Sequence, residues 1–181
     1  MEPVVIDFEY LKGRQNEMVV KEAAVAGKNI SETFRFEPPY YMAPHGSADS
    51  GLNWDDGNIS YQKLGPVLKE AVAGFAHIYS VGPAKCGFLT ALLQRTVLDL
   101  EEFKCPPAKD LNSTYTCTLS CHRQTKFSCA AKSAHSLYAW LMHHLQNKSY
   151  VTCPPDMSRH TAEFISAIGT DPSSSSSDWS I

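Results

Sequence analysis

The sequence has no long apolar run and no strong excess of charge of either sign. No stretch approaches the ~18 apolar residues of a membrane-spanning helix, so we expect no membrane segment. The start, MEPVVIDFEY, lacks the basic region and apolar core of a signal peptide, which predicts an intracellular protein. With 16 Lys and Arg against 19 Asp and Glu, the net charge of −3 excludes a generally basic polynucleotide binder, although a local basic patch is compatible with it.

The chain of 181 residues has the length of one ordinary domain. Its last residues, GTDPSSSSSDWSI, are of low complexity, and such a composition cannot form a packed core. We therefore predict one folded domain over residues 1–169 and a disordered, serine-rich tail over 170–181.

The order of apolar patterns predicts an α/β fold. Strands are expected at 3–10, 16–27 and 32–39, and the short turns between them indicate an antiparallel start to a sheet. Helix and strand patterns then alternate, which is typical of a βαβ layer. These later segments are a helix at 61–75, a strand at 75–82, a helix at 84–95, a strand at 96–103, a long helix at 129–145 and a shorter helix at 158–168.

Two carboxylates interrupt the first apolar run, VVIDFEY. Asp7 and Glu9 are two residues apart, so on a strand they share one face. This Asp-x-Glu, with the order of elements around it, resembles the ribonuclease H-like fold of the DEDD-type 3′–5′ exonucleases. The resemblance implies a mixed sheet flanked by helices, and an ancestral site in which four carboxylates bind two Mg²⁺ ions.

The later acidic motifs of that family are missing. The motif D-x-x-F-L has its counterpart in KCGFL, where Lys85 replaces the acid. At the start of the last helix, CAAKSA has Cys129 in place of the family's His and Ala134 in place of its Asp. Asp7 and Glu9 are therefore interpreted as a remnant. The Lys85 ammonium is expected either to pair with one of them or to keep a contact with phosphate.

Thiols and a histidine cluster just before the last helix, and this pattern is similar to the zinc site of Maelstrom proteins. That family has the exonuclease fold without its acids and binds zinc through Glu, Cys, His and Cys. The resemblance implies a structural Zn²⁺ held by Glu22, Cys117, His122 and Cys129. Cys117 is farther from His122 than in the family, so two alternate ligands stay open, namely Cys121 and Cys105.

Other ionisable residues have a simpler interpretation as surface groups. The long helix carries three histidines that we expect on its exposed side. Basic residues near the first turn are expected to be solvated, with contact to phosphates as the alternative. The histidines are His135, His143 and His144, and the basic residues are Lys12, Arg14, Lys21 and Lys28.

Together these features predict a non-catalytic module derived from an exonuclease, which binds single-stranded RNA weakly or docks a protein partner. The resemblance to Maelstrom implies a setting in small-RNA or transposon silencing. One alternative is an active 3′–5′ exonuclease using Asp7 and Glu9 with Mg²⁺ or Mn²⁺. The other is a pure protein-interaction scaffold. Fold-level resemblance alone establishes none of these functions.

Overall fold

The computed structural model describes residues 2–41, 52–117 and 129–148. The chain from Met1 to Gln146 forms one compact unit. The predicted helix at 158–168, the predicted tail at 170–181 and the boundary between tail and domain lie outside the described residues.

A five-stranded mixed sheet forms the centre of this unit, in the order β3-β2-β1-β4-β5. The first three strands are antiparallel, as their short connections predict, and β4 and β5 run parallel to β1. The prediction of an α/β fold is confirmed. The strands are β1 (Pro3–Lys12), β2 (Met18–Gly27), β3 (Ile30–Arg35), β4 (His77–Ser80) and β5 (Val97–Asp99).

Within the described residues three α-helices cover the sheet: α1 (Leu64–Ala71), α2 (Pro83–Leu93) and α3 (Ala130–Lys148). Helices α1 and α2 pack on the face that carries Ile6 and Phe8, while α3 packs on the opposite face. None of the helices in the described ranges combines the length and apolarity that crossing a bilayer requires.

The alternation of side chains along β1 assigns its residues to these two faces. Val4, Ile6 and Phe8 belong to the core under α1 and α2, and Val5 belongs to the core under α3. Asp7 therefore shares the α3 face with Val5. On β2, the small side chains of Ala24 and Ala26 face this same side, where they meet alanines of α3 and allow the helix to approach closely.

The predicted strand at 96–103 is half wrong. Only Val97–Asp99 is strand, and Leu100–Phe103 is a 3₁₀ helix. The cause is Asp99, whose Oδ1 accepts hydrogen bonds of 2.9 Å from the backbone N–H groups of Gly82 and Glu101. An aspartate that bonds to the backbone two residues later caps a helical turn and stops an extended strand.

Lys21 is not a surface residue, contrary to the expectation for the basic residues near the first turn. Its side chain is 2% exposed. The ammonium donates to the carbonyl oxygens of Phe36, Trp54 and Asp56 at 2.7, 2.6 and 2.6 Å. Burial lowers the pKa of Lys21 to about 8. This lysine ties the segment after residue 52 to the sheet and is unavailable to a phosphate.

Candidate functional site: two buried carboxylates under helix α3

Asp7, on the central strand of the sheet, forms an ion pair with Lys85. Asp7 is 2% exposed on β1, and Lys85 lies in the first turn of α2. The distance from Lys85 Nζ to Asp7 Oδ1 is 2.5 Å. The same ammonium lies 5.2 Å from the centre of the Phe8 ring, a favourable position for a cation. Lys85 is expected from the sequence either to pair with an acid or to contact phosphate, and in the structure it pairs with Asp7.

Burial and charge act on Asp7 in opposite directions. Burial raises the pKa of the Asp7 carboxyl, because removing a carboxylate from water disfavours its charged form. The ammonium of Lys85 and a hydrogen bond from Ser133 oppose this shift. The pair thus has a positive group beside a carboxylate at the position where the exonuclease resemblance places metal ions.

A cavity of about 510 Å³ opens above this pair, between β1 and α3. Asp7, Glu9 and Lys85 line it together with two further lysines, Lys109 and Lys132. Both of these lysines are exposed at the surface. The cavity therefore has three ammonium groups against two carboxylates, a local basic balance within an acidic chain.

Sequence reasoning missed Lys109, Lys132 and the neighbouring Ser133. A signal for two of them was present, because Lys132 and Ser133 follow Cys129 by three and four residues. Residues at this spacing lie on one face of a helix, so they reach the cavity that Cys129 lines. Lys109 lies in a separate 3₁₀ turn, Ala108–Asp110, and its position depends on tertiary folding.

The second buried carboxylate is Glu22, which lies on β2 next to the first residue of α3. It is 0% exposed, and its Oε1 accepts a 3.0 Å hydrogen bond from the backbone N–H of Ala130, the first helical residue. The partial positive charge of a helix N-terminus favours such a carboxylate. Glu22 is also the cross-strand partner of Glu9. Glu22 therefore lies beside the start of α3, and the zinc ligand set that includes it stays a prediction.

Cys129 joins Glu22 at this helix start. Its Sγ accepts from the backbone N–H of Lys132 at 3.5 Å. Its thiol also bonds to the Glu22 carboxyl, and the Cys117 thiol lies next to it. Burial raises the pKa of the Cys129 thiol to about 12 and that of the Glu22 carboxyl above its ordinary value. The structure brings together three of the residues that the zinc hypothesis names.

The fourth predicted ligand, His122, and the alternate Cys121 lie outside the described residues. Within 2–41, 52–117 and 129–148, no three His, Cys, Asp or Glu side chains form a group that could hold a metal ion. Glu22, Cys117 and Cys129 are thus neighbours without forming a complete site. Their chemistry nevertheless suits zinc, which prefers thiolate, imidazole and carboxylate ligands.

Cys105, the other alternate ligand, lies in a different part of the core. It packs with Tyr79, Leu100 and Leu137, whereas Cys129 packs with the alanines of β2 and α3. Burial raises the pKa of Cys105 to about 11. Ala134, at the position of the family's last acid, is fully buried in the alanine cluster and does not line the cavity.

The histidines of α3 are less exposed than their spacing predicts. His143 is exposed as expected. His135 is half-buried, and its Nε2 lies 2.8 Å from Ser31 Oγ. His144 is half-buried too and stacks on Trp140 at 4.8 Å between ring centres. Ser31 and Tyr115 from other segments cover His135, whereas His144 contacts Trp140 one helical turn away and Phe103 from the segment after β5.

Comparisons of the chain with models of protein families, with curated proteins and with solved structures find no match.

Proposed function

We propose that this chain is a non-catalytic module of the ribonuclease H-like type that binds single-stranded RNA in the cavity above Asp7. The strand order β3-β2-β1-β4-β5, with three antiparallel strands followed by two parallel ones, supports this type of fold. So does the position of Asp7 and Glu9 in the cavity under the last helix.

The observation that carries the proposal is the ion pair between Lys85 and Asp7. Two-metal hydrolysis needs carboxylates that hold two cations a few ångströms apart. The ammonium lies at 2.5 Å from Asp7 and repels a second cation at the same place. The alternative of an active exonuclease therefore has no support from the geometry of the described residues.

Lys109 and Lys132 are the residues that we propose as phosphate contacts. Both are exposed at the cavity, whereas Lys85 is engaged by Asp7. Lysine contacts to phosphate do not depend on base identity. Since the net charge is −3, we expect weak binding, with a dissociation constant of about 10⁻⁴ to 10⁻⁶ M at physiological salt.

A structural zinc ion is the second part of the proposal. Glu22, Cys117 and Cys129 would hold it, with His122 as the fourth ligand. Such an ion stabilises the fold directly, because its binding free energy is folding free energy. The contact of Cys129 with both Glu22 and Cys117 supports this ligand set. Reduced thiols fit an intracellular protein, and a setting in small-RNA or transposon silencing is part of the same proposal.

The test is a titration of fluorescent single-stranded RNA at two salt concentrations. We compare wild type with Lys132→Glu and Lys109→Glu, and use Lys63→Glu as the matched control. Lys63 is exposed but belongs to the 3₁₀ turn before α1, outside the cavity. Loss of one lysine contact should weaken binding and reduce the slope of log affinity against log salt by about 0.7.

The outcomes separate the candidate functions. Binding that falls in both cavity variants and not in Lys63→Glu supports the proposal. Absence of binding at low salt contradicts it and favours a scaffold that docks a protein. Binding that is equal in all variants also contradicts it, because the RNA then lies elsewhere.

A further inference from the structure

A second cavity of about 430 Å³ lies farther along α3. The segment that begins at Asn112 forms one wall, and α3 forms the other with His135, Tyr138 and Met142. Tyr115 completes the lining. The rings of Tyr115, His135 and Tyr138 distinguish this second cavity from the cavity above Asp7, whose lining is mainly charged and small side chains.

The aromatic groups of this cavity are already held in place. Tyr115 stacks on His135 with ring centres 4.0 Å apart and planes 10° from parallel. The hydrogen bond between His135 and Ser31 fixes the imidazole to β3. Burial lowers the pKa of His135, which favours the neutral form of the ring. A preformed aromatic surface loses little entropy when a planar ligand stacks on it.

The two cavities are neighbours along one face of α3. Ser136 lines both of them. Lys132, Ser136 and Ala139 are spaced by four and three residues, so they follow a single stripe of the helix. From Lys132 to Ala139 the helix rises about 10 Å. A short oligonucleotide can therefore contact the lysines of the first cavity and the rings of the second.

We infer that the second cavity stacks a nucleobase of the same strand whose phosphates contact Lys109 and Lys132. This inference rests on the proposed RNA binding and adds a preference for single strands. Base-paired nucleotides are already stacked within a duplex, whereas an unpaired base can insert beside a tyrosine. Grooves that combine lysines for the backbone with aromatic rings for the bases are the usual means of binding single strands.

The experiment compares three probes of about ten nucleotides. They are a single-stranded RNA, an abasic strand with the same sugar–phosphate backbone, and an RNA duplex. All three are titrated against the wild-type chain at low salt by fluorescence anisotropy. Stacking predicts that the RNA binds at least about fivefold more tightly than the abasic strand, the lower end of what one stacked base contributes.

Variants then locate the base. Tyr115→Leu and Tyr138→Leu keep apolar volume and remove a ring, and each should weaken RNA binding while leaving abasic binding unchanged. The matched control is Tyr41→Leu, because Tyr41 is 75% exposed and does not line either cavity. Thermal unfolding verifies that each variant is folded. The comparison of probes on the wild type needs no variant, and it decides whether bases contribute to binding even if a tyrosine variant fails to fold. The other tyrosine variant then still tests the position of the base.

The failures of the two proposals differ. If the RNA and the abasic strand bind equally and Lys132→Glu weakens both, stacking is wrong and phosphate binding stands. If none of the probes binds at low salt, both proposals are wrong. A loss of affinity in Tyr41→Leu equal to that in Tyr115→Leu would also overturn the second cavity as the site of the base.

Discussion

Two buried carboxylates lie on neighbouring strands and on the same face of the sheet, and their partners differ. Asp7 is paired with the ammonium of Lys85. Glu22 hydrogen-bonds to the backbone N–H of Ala130 and to the thiol of Cys129, which also contacts Cys117. Burial raises the pKa of both carboxyls. One buried carboxylate thus has a fixed ammonium as its partner, whereas the other lies among thiols, which are ligands that zinc prefers.

This comparison assigns separate roles to the two regions. The positive partner of Asp7 is a side chain of the protein, Lys85, so this carboxylate needs no metal ion from solution to balance its charge. The thiols near Glu22 would contribute fully to the stability of the fold only when they bind a metal ion. We therefore expect disruption of the Glu22 region to depend on metal and disruption of the Asp7 region to depend on charge and pH.

The largest effect is expected at the Glu22 region. Cys129→Ser should lose one zinc per chain and several kcal/mol of the free energy of unfolding, because metal binding contributes to folding directly. Metal content by elemental analysis and urea unfolding with and without chelator measure this. Cys86→Ala is the control, since Cys86 is buried on the opposite face of the sheet. This variant should retain one zinc per chain. A metal-free wild type that is equally stable in chelator would disprove the zinc site.

The next effect is expected at Lys85. Lys85→Met leaves Asp7 buried without its ammonium, and breaking a buried pair in this way costs about 3–5 kcal/mol. The double variant with Asp7→Asn should recover much of the loss, since neither charge is then buried alone. Urea unfolding of the two single variants and the double variant gives the coupling energy. A coupling near zero would mean that the pair does not stabilise the fold.

Lys21 is a third buried charged group. The hydrogen bonds described for its ammonium all go to backbone carbonyl oxygens. Lys21→Met keeps the apolar stem but removes the donor from three carbonyls, so we expect a loss of about 3 kcal/mol in the free energy of unfolding. Zinc content and RNA affinity should stay unchanged. A change in RNA affinity in a folded Lys21→Met protein would show that this lysine has a role at the cavity after all.

A smaller effect concerns pH. The Asp7 carboxyl has a raised pKa, so the folded state holds its proton more tightly than the unfolded chain. Stability from this group is fully present below the ordinary pKa of 3.8 and is lost as pH rises through the folded pKa. Without Lys85 the folded pKa rises further. The deficit of Lys85→Met should therefore grow from pH 4 toward pH 7, by at most about 1.4 kcal/mol per pH unit.

Unfolding curves of wild type and Lys85→Met at several pH values test this dependence. Lys63→Met is the control, because Lys63 is exposed and its 3₁₀ turn, Tyr61–Lys63, contains no acidic residue. A deficit that is constant with pH would indicate lost packing instead of lost charge compensation.

The sequence was informative where local pattern and face were enough. Alternation along VVIDFEY placed Asp7 and Glu9 on one side of a strand, and the helical pattern after Cys129 located the start of α3. It failed where distant segments meet. Lys21 has the sequence signature of a surface lysine, yet Trp54 and Asp56 fold over it. Lys109 reaches the cavity through an irregular segment whose path no periodicity encodes.

We propose that the cavity above Asp7 binds RNA without cutting it. The most direct measurement incubates wild-type protein with end-labelled single-stranded RNA in Mg²⁺, in Mn²⁺ and in chelator, and records bound fraction and strand length together. We predict that the strand is bound at low salt, stays at full length in all three conditions, and is released by Lys132→Glu. Stepwise 3′–5′ shortening in Mg²⁺ that Asp7→Asn abolishes would contradict the claim.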